Sequence, residues 1–472
     1  MHPFSAIGRF FDVSRGVQGP DKPSSRSIYT TTLRLAWPAM LEALLITVIG
    51  MIDIVMVGAL GETRIAAVGI TSQPRFIFLA LLFSLNIGVT AVVARRRGEN
   101  DRLGACSVLR RSLVISLIYS IIFGCIALLI SRPLMLFAGA EADIIDDACS
   151  YFNIMMLALP INAVTMTINA AQRGAGNTRI SLVTNLTANL VNVFFNWLLI
   201  FGVWIFPELR VPGAAIATVI GNIVAMLIAI LSVWRKDSFL SLRRVTPPTD
   251  LPVLPKTKNI LQPVLRVTSS AAVEQLCVRV GFFIFAKVVS DLGTLPLTTH
   301  TIAMQITTLS FCFGDGLQIA AAALVGRNLG EKRPDLAHAH GAACQRIGFS
   351  IALCLGIICF AARGWLLRPF TADPAILLQG GYLMMLLAIM SPAQISQVIF
   401  SGLLRGAGDT RYIAIISLIC IGLIRPFTSW LYTYPLGLGL YGAWLAMVID
   451  QYLRLILSFR RFSSGKWKAV KL

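Results

Sequence analysis

LRLAWPAMLEALLITVIGMIDIVMVGA, residues 33–59, is long and apolar enough to cross a membrane, yet it carries two acids, Glu42 and Asp53. A spanning helix needs about 20 predominantly apolar residues. An ionised side chain in hydrocarbon is expensive, so intramembrane acids face wet cavities or partners and mark ion paths. Glu42 and Asp53 are eleven residues apart. At about 100° per residue they share one helix face, roughly 16 Å apart along the axis. One wall of one helix thus offers two proton- or cation-binding groups at two depths. The competing expectation is structural, with each acid paired to a neighbouring Arg or Lys.

The rest of the chain has the same character. Its 472 residues are 56% hydrophobic and only 13% charged, against about 25% charged in soluble domains. The expected fold class is an all-α polytopic membrane protein. The apolar runs are too long for the strands of a membrane barrel. A net charge of +19 would suggest nucleic acid in a soluble protein. Here the basic residues sit in short loops, where they read as topology signals and contacts to anionic lipid, with no nucleic-acid partner expected. The nine Cys are scattered without a CxxC pair and read as small packing residues. The four His (His2, His300, His338, His340) form no ligand set, and His338 and His340 are expected in a solvated basic loop. The first apolar run is too long for a signal-peptide core and lacks a cleavage site, so it is expected to be retained.

Twelve candidate spans follow, roughly 33–59, 66–93, 112–131, 150–171, 180–203, 211–234, 262–290, 298–325, 345–367, 380–403, 412–433 and 438–459. Most Lys and Arg fall in alternate connections, while the opposite loops hold only Arg64, Arg132, Arg210, Arg363 and Arg368. The positive-inside rule then puts both termini in the cytoplasm, in a bacterial inner membrane. The expected organisation is a cytoplasmic tail (1–27), a six-helix bundle (28–234), a Pro-rich basic linker (235–259), a second six-helix bundle (260–460) and a basic tail (461–472).

The halves are copies. Glu42 recurs as Glu274, Gly98-Glu99 as Gly330-Glu331, Pro160 as Pro392, and Arg173-Gly174-Ala175-Gly176 as Arg405-Gly406-Ala407-Gly408, all 232 residues apart. A constant offset of this kind is a duplication. Six helices per half is an even number, so the repeats are parallel and related by a pseudo-twofold along the membrane normal. Substrate sites in such folds lie between the halves, with alternating access.

PAMLE (38–42), MIDIVMVGALG (51–61), RGAGNTR (173–179), NLVNVFFNWLLIFG (189–202), AAVEQLCVRVG (271–281) and RGAGDTR (405–411) together resemble the multidrug and toxic compound extrusion (MATE) family over about 30–460. The resemblance implies two six-helix bundles and cation-coupled export of amphipathic, often cationic, compounds, with inward H+ or Na+ flow. Asp53 takes the place of the first-helix aspartate used for coupling, and Asn192 matches a nearby helix 5 asparagine. Asn196 stands where many members have a second aspartate. Glu274 matches the helix 7 glutamate of NorM-type members, and Gln394 stands where those have a helix 10 aspartate.

The residues themselves point the same way. Asp53, Glu274 and Glu42, in that order, are the candidate ion-coupling groups. Asn189, Asn192, Asn196, Asn162 and Gln394 are candidates for a polar cavity, with Asn86 and Asn153 beside them. Amides in lipid must find partners or water. A Na+ site at Asp53, Asn192 and Asn196 is the one metal possibility. Asp450 and Arg454, four apart, are expected to pair. No partner for Arg75, Asp315 or Arg425 is legible. The Arg-Gly-Ala-Gly segments read as tight turns, since no strand precedes them and no Walker lysine follows. The function expected is an antiporter with organic-cation substrates, acting as a monomer and needing no cofactor. A flippase for a lipid-linked precursor is the first alternative, and an intramembrane enzyme or a non-transporting receptor is less favoured.

Overall fold

The computed structural model describes residues 12–14, 17, 22–58, 62–140, 143–203, 207–234, 238–243 and 261–470, and no strand occurs among them. Backbone groups in hydrocarbon have no water to bond, so each apolar run closes its hydrogen bonds internally as a helix. The first half gives α1 (Ser25–Gly58), α2 (Glu62–Gly98), α3 (Arg102–Leu129), short α4 (Ser131–Phe137), α5 (Ile145–Leu157), α6 (Leu159–Gly174), α7 (Thr178–Phe201) and α8 (Arg210–Trp234). The second gives α9 (Leu261–Ser290), α10 (Thr294–Gly330), α11 (Pro334–Ala361), short α12 (Arg363–Leu367) and α13 (Pro374–Ala407). It ends with α14 (Thr410–Ser417), a π-helix (Leu418–Ile424), α15 (Arg425–Thr433), α16 (Gly439–Ser463) and a 3-10 turn (Lys466–Ala469).

All twelve expected spans fall on helix. Among the described residues ten helical segments are long and apolar enough to cross a membrane, and α5 with α6 makes an eleventh, bent by 48°. The bend follows from Pro160, which has no amide to bond the carbonyl four residues back. The twelfth, α9, has 30 residues but carries Arg266, Glu274, Arg279 and Lys287, which lower its apolarity.

By packing, the chain forms two compact units, residues 44–268 and residues 1–43 with 269–472. Helices α1 and α9 therefore each contribute to both. In the first unit, α6 lies close on α2: a Cβ on Gly174 would meet the Thr90 carbonyl at 2.6 Å. In the second unit the same crossing is made by α13 on α10, where a Cβ on Gly406 would run into the Ala322 carbonyl and one on Gly402 would meet Gln318 O at 2.5 Å. Small residues four apart let membrane helices approach this closely. Gly174 and Thr90 precede Gly406 and Ala322 by 232 residues, so the duplication extends to backbone contacts. The turns repeat too: Gly176 and Gly408 both have φ 87°, and Asn100 and Lys332 have φ 59° and 57°. Replacing Gly406 by Ala is expected to cost about 1–3 kcal/mol, as overpacking does. The check is a lowered thermal midpoint of the purified protein in detergent, and an unchanged midpoint contradicts it.

Two expectations about regions outside the apolar runs need correction. His338 and His340 lie on a helix and not in a loop, because Pro334 starts α11 ahead of the apolar run. His338 is exposed as expected and stacks on Phe462 at 5.0 Å, but His340 is buried with Nδ1 3.1 Å from Thr32 Oγ1. The N-terminal segment is partly docked: Val13 and Val17 are buried with Ile28, Ala339 and Ala343. Residues 1–11 and 244–260, the bulk of the linker, lie outside the described residues. The described part of the linker is held to α3, where Arg102 donates to the carbonyls of Ser238 at 2.7 Å and Phe239 at 3.2 Å.

Candidate functional site

Asp53 stands three turns beyond Glu42 on α1, within the unit 44–268. Its carboxylate is half-buried and has no ion pair among the described residues. Two amides from α7 hold it instead. Asn196 Nδ2 donates to Oδ1 at 2.8 Å. Asn192, one turn earlier, satisfies its neighbours only with its nitrogen toward Asp53, donating to Oδ1 at 2.9 Å and Oδ2 at 3.2 Å. In that orientation its oxygen accepts from Thr218 Oγ1 of α8 at 3.1 Å. The i, i+4 spacing of Asn192 and Asn196 puts both on one face of α7, and that face meets Asp53. Three of the residues singled out in the sequence are thus brought together. Asn189 is half-buried on α7 and joins no hydrogen bond to this group.

Thr218 also lines a cavity of about 190 Å³ with Arg75, Asn162, Asn222, Met155 and Met156. That volume admits several waters but falls short of the 300–1,000 Å³ typical of a drug-sized pocket. The cavity shares Thr218 with the Asp53 network. Arg75 had no partner legible in the sequence, and it faces Tyr151 here. Its Nε is buried and unbonded among the described residues. Thr218, Asn222 and Tyr151 gave no sequence signal, being ordinary polar residues in long apolar runs.

Removing one donor tests the cradle. A hydrogen bond to a charged group contributes about 1.5–3 kcal/mol. Asn196→Ala is therefore expected to destabilise the fold by about 1.5–3 kcal/mol, read as a lowered thermal midpoint of the purified protein in detergent. An unchanged midpoint in that variant would show that Asp53 does not need the contact.

Glu274, the copy of Glu42, is in a different state. Its Oε1 accepts from Arg405 Nη2 at 2.6 Å, with the two side chains 7% and 13% exposed. Arg405 is the arginine of the RGAG turn, read from sequence only as a turn residue. The close α13–α10 crossing at Gly402 and Gly406 seats that turn so that Arg405 reaches α9. Asp315 of α10 lies near enough to Arg405 to feel its charge and is itself exposed. Arg405 therefore stands among two acids from two helices. Gln394 is fully buried on α13, and neither of its amide atoms has a partner among the described residues. Glu42 is buried on α1 at 6% exposure. Asp450 pairs with Arg454 at 3.0 Å as the spacing suggested, and Arg425 joins the same carboxylate oxygen at 2.5 Å. Among the described residues no group of three or more His, Cys, Asp or Glu is placed to hold a metal ion.

The MatE family model matches the chain twice, over residues 38–198 and 270–431. The second match begins 232 residues after the first, the offset of the repeats. Among curated relatives, "Probable multidrug resistance protein NorM" of Thermotoga maritima is 27% identical over 440 residues, covering 92% of both chains. "Multidrug resistance protein PmpM" of Pseudomonas aeruginosa is 26% identical over 452 residues, covering 91% of both. A solved structure described as the outward-facing conformation of a multidrug resistance MATE family transporter matches with TM-score 0.84 at 22% identity. That match covers 93% of this chain and 97% of the other. The family model, matched over both halves, and relatives matched over nearly their whole length make this integral membrane protein a transporter and not an enzyme, and the chain belongs to the MATE family of efflux transporters.

Proposed function

We propose that this chain is a secondary active antiporter, exporting amphipathic cationic organic compounds as H+ moves inward through Asp53. The observation that carries the reading is the contrast between the acids: Asp53 is held by neutral amides, and Glu274 by a guanidinium. A carboxylate without a fixed counter-charge can exchange its partner, whereas one locked to arginine must first lose it. Protonation of Asp53 would release a cationic cargo, and deprotonation would readmit it.

The amide orientations favour H+ over Na+. Sodium ion prefers oxygen ligands, as hard cations do, but both amides turn nitrogen toward Asp53, and the Asn192 oxygen is taken by Thr218. Na+ coupling would require both amides to rotate. Other parts of the reading rest on charge placement. Both termini face the cytoplasm of a bacterial inner membrane, and the basic loops meet anionic lipid. A groove of about 600 Å³ lined by Asn177, Arg179, Ile180, Val183 and Leu231 offers a guanidinium beside an apolar wall, which suits a phospholipid. The protein acts as a monomer.

The test is efflux of a fluorescent organic cation from proteoliposomes, first under an imposed pH gradient and then under a sodium gradient. Efflux driven by the pH gradient alone is the expected result. Efflux driven only by sodium would overturn the ion assignment. No gradient-dependent efflux of any cation tried would overturn the antiport reading.

A further inference from the structure

The cluster around Asp450 has a charge imbalance that its own side chains do not correct. Arg425 of α15 and Arg454 of α16 both bond Asp450 Oδ2, at 2.5 Å and 3.0 Å. The three side chains are 1%, 9% and 0% exposed. The sum is one buried positive charge. Arginine does not shed its proton in proteins, so the excess cannot be relieved by deprotonation. An uncompensated charge in a low-dielectric interior is strongly destabilising. Neither guanidinium has another ion-pair partner among the described residues.

The hydrogen-bond account is unbalanced in the same direction. Arg425 Nε and Nη1, Arg454 Nε and Ser429 Oγ are all buried without a partner among the described residues. Ser429 lies one turn after Arg425 on the same face of α15. Against these donors stand two buried unbonded acceptors on this part of α16, Asp450 Oδ1 and Gln451 Oε1, fewer than the donors. The site lacks an acceptor and lacks a negative charge.

The backbone is shaped around the cluster. Pro426 removes the amide that would bond Gly422 in an α-helix, and the helix widens into the π-helix just before it. The π-helix presents Cys420 beside Asp450 and both arginines. Gly281 lets α9 pack directly on it, since a Cβ there would meet the Ile421 carbonyl at 2.6 Å. That approach brings the Phe282 ring to 5.0 Å from the Arg425 guanidinium. That ring covers one side of the Arg425 guanidinium with an aromatic face, which suits a cation but supplies no acceptor.

We infer that Arg425 and Arg454 hold a small monovalent anion of the halide class, accepting from their free N–H groups and from Ser429. It supplies the missing charge, and a water beside it donates to Asp450 Oδ1. The inference is independent of the coupling role of Asp53, which lies in the other unit.

The test uses the full-length purified protein in detergent, with chloride exchanged for gluconate at constant ionic strength. Chloride or bromide is expected to raise the thermal midpoint saturably, by about 2 °C or more. Arg425→Met leaves Asp450 and Arg454 as a neutral pair, so its midpoint should not respond to halide. Equal midpoints of the wild type in the two salts, or an undiminished halide response in Arg425→Met, would overturn the site. If that variant does not fold, anomalous diffraction from wild-type crystals grown in bromide decides. A peak within hydrogen-bond distance of Arg425 supports the inference, and water alone there ends it.

Discussion

Asp53→Asn is expected to reduce ion-driven efflux to the leak of protein-free vesicles, while the protein still folds and inserts. The substitution keeps size and hydrogen-bonding shape and removes only the charge. Asn196 and Asn192 donate to the carboxylate now, and an amide oxygen at position 53 can still accept from them. Stability should therefore change little, and it should rise if anything, because a partly buried charge without a counter-ion is lost. Transport should fail because an amide can neither bind nor release a proton, so nothing couples the gradient to cargo. Gradient-driven efflux, thermal midpoint and membrane yield, measured together, separate the two effects. Normal efflux in Asp53→Asn would remove Asp53 from the mechanism, and an unfolded variant would give it a structural role instead.

The second large effect is expected at Arg405, and it falls on stability first. Arg405→Met removes the counter-charge of Glu274 and leaves a carboxylate buried among apolar helices. Breaking a buried pair from one side costs about 3–5 kcal/mol, much more than the pair itself contributes. The double variant Glu274→Gln, Arg405→Met should recover most of that loss, because it leaves no charge of the pair behind. The readout is a double-mutant cycle on thermal midpoints in detergent. A single variant as stable as wild type would mean that Glu274 is solvated or protonated without its arginine. If the double variant folds but does not transport, the pair is a working part of the cycle and not only a strut.

Much of the architecture was legible because it follows from solvent. Apolar runs of about 20 residues in a chain with 13% charge have few options but helix. The 232-residue repeat exposed two copies without any structure. The acids were legible for the same reason, since charge within such runs is too costly to be incidental. The bend at Pro160 was not, because its copy Pro392 sits in an unbroken α13. The same residue at the same repeat position gave a kink in one half and none in the other.

The partners of those acids were set by contacts that leave little trace in order or spacing. Asp53 and Asn196 are 143 positions apart, and Glu274 and Arg405 are 131. Arg405 looked like turn punctuation until the glycine crossing of α13 on α10 carried it to α9. The sequence by itself determined that this is a duplicated helical membrane protein with carboxylates inside its apolar runs, because hydrophobicity and repetition are properties of the chain alone. Only the tertiary structure decided which carboxylate is held by amides and which is paired with an arginine. That choice depends on which donors from distant helices arrive within 3 Å, and so on packing.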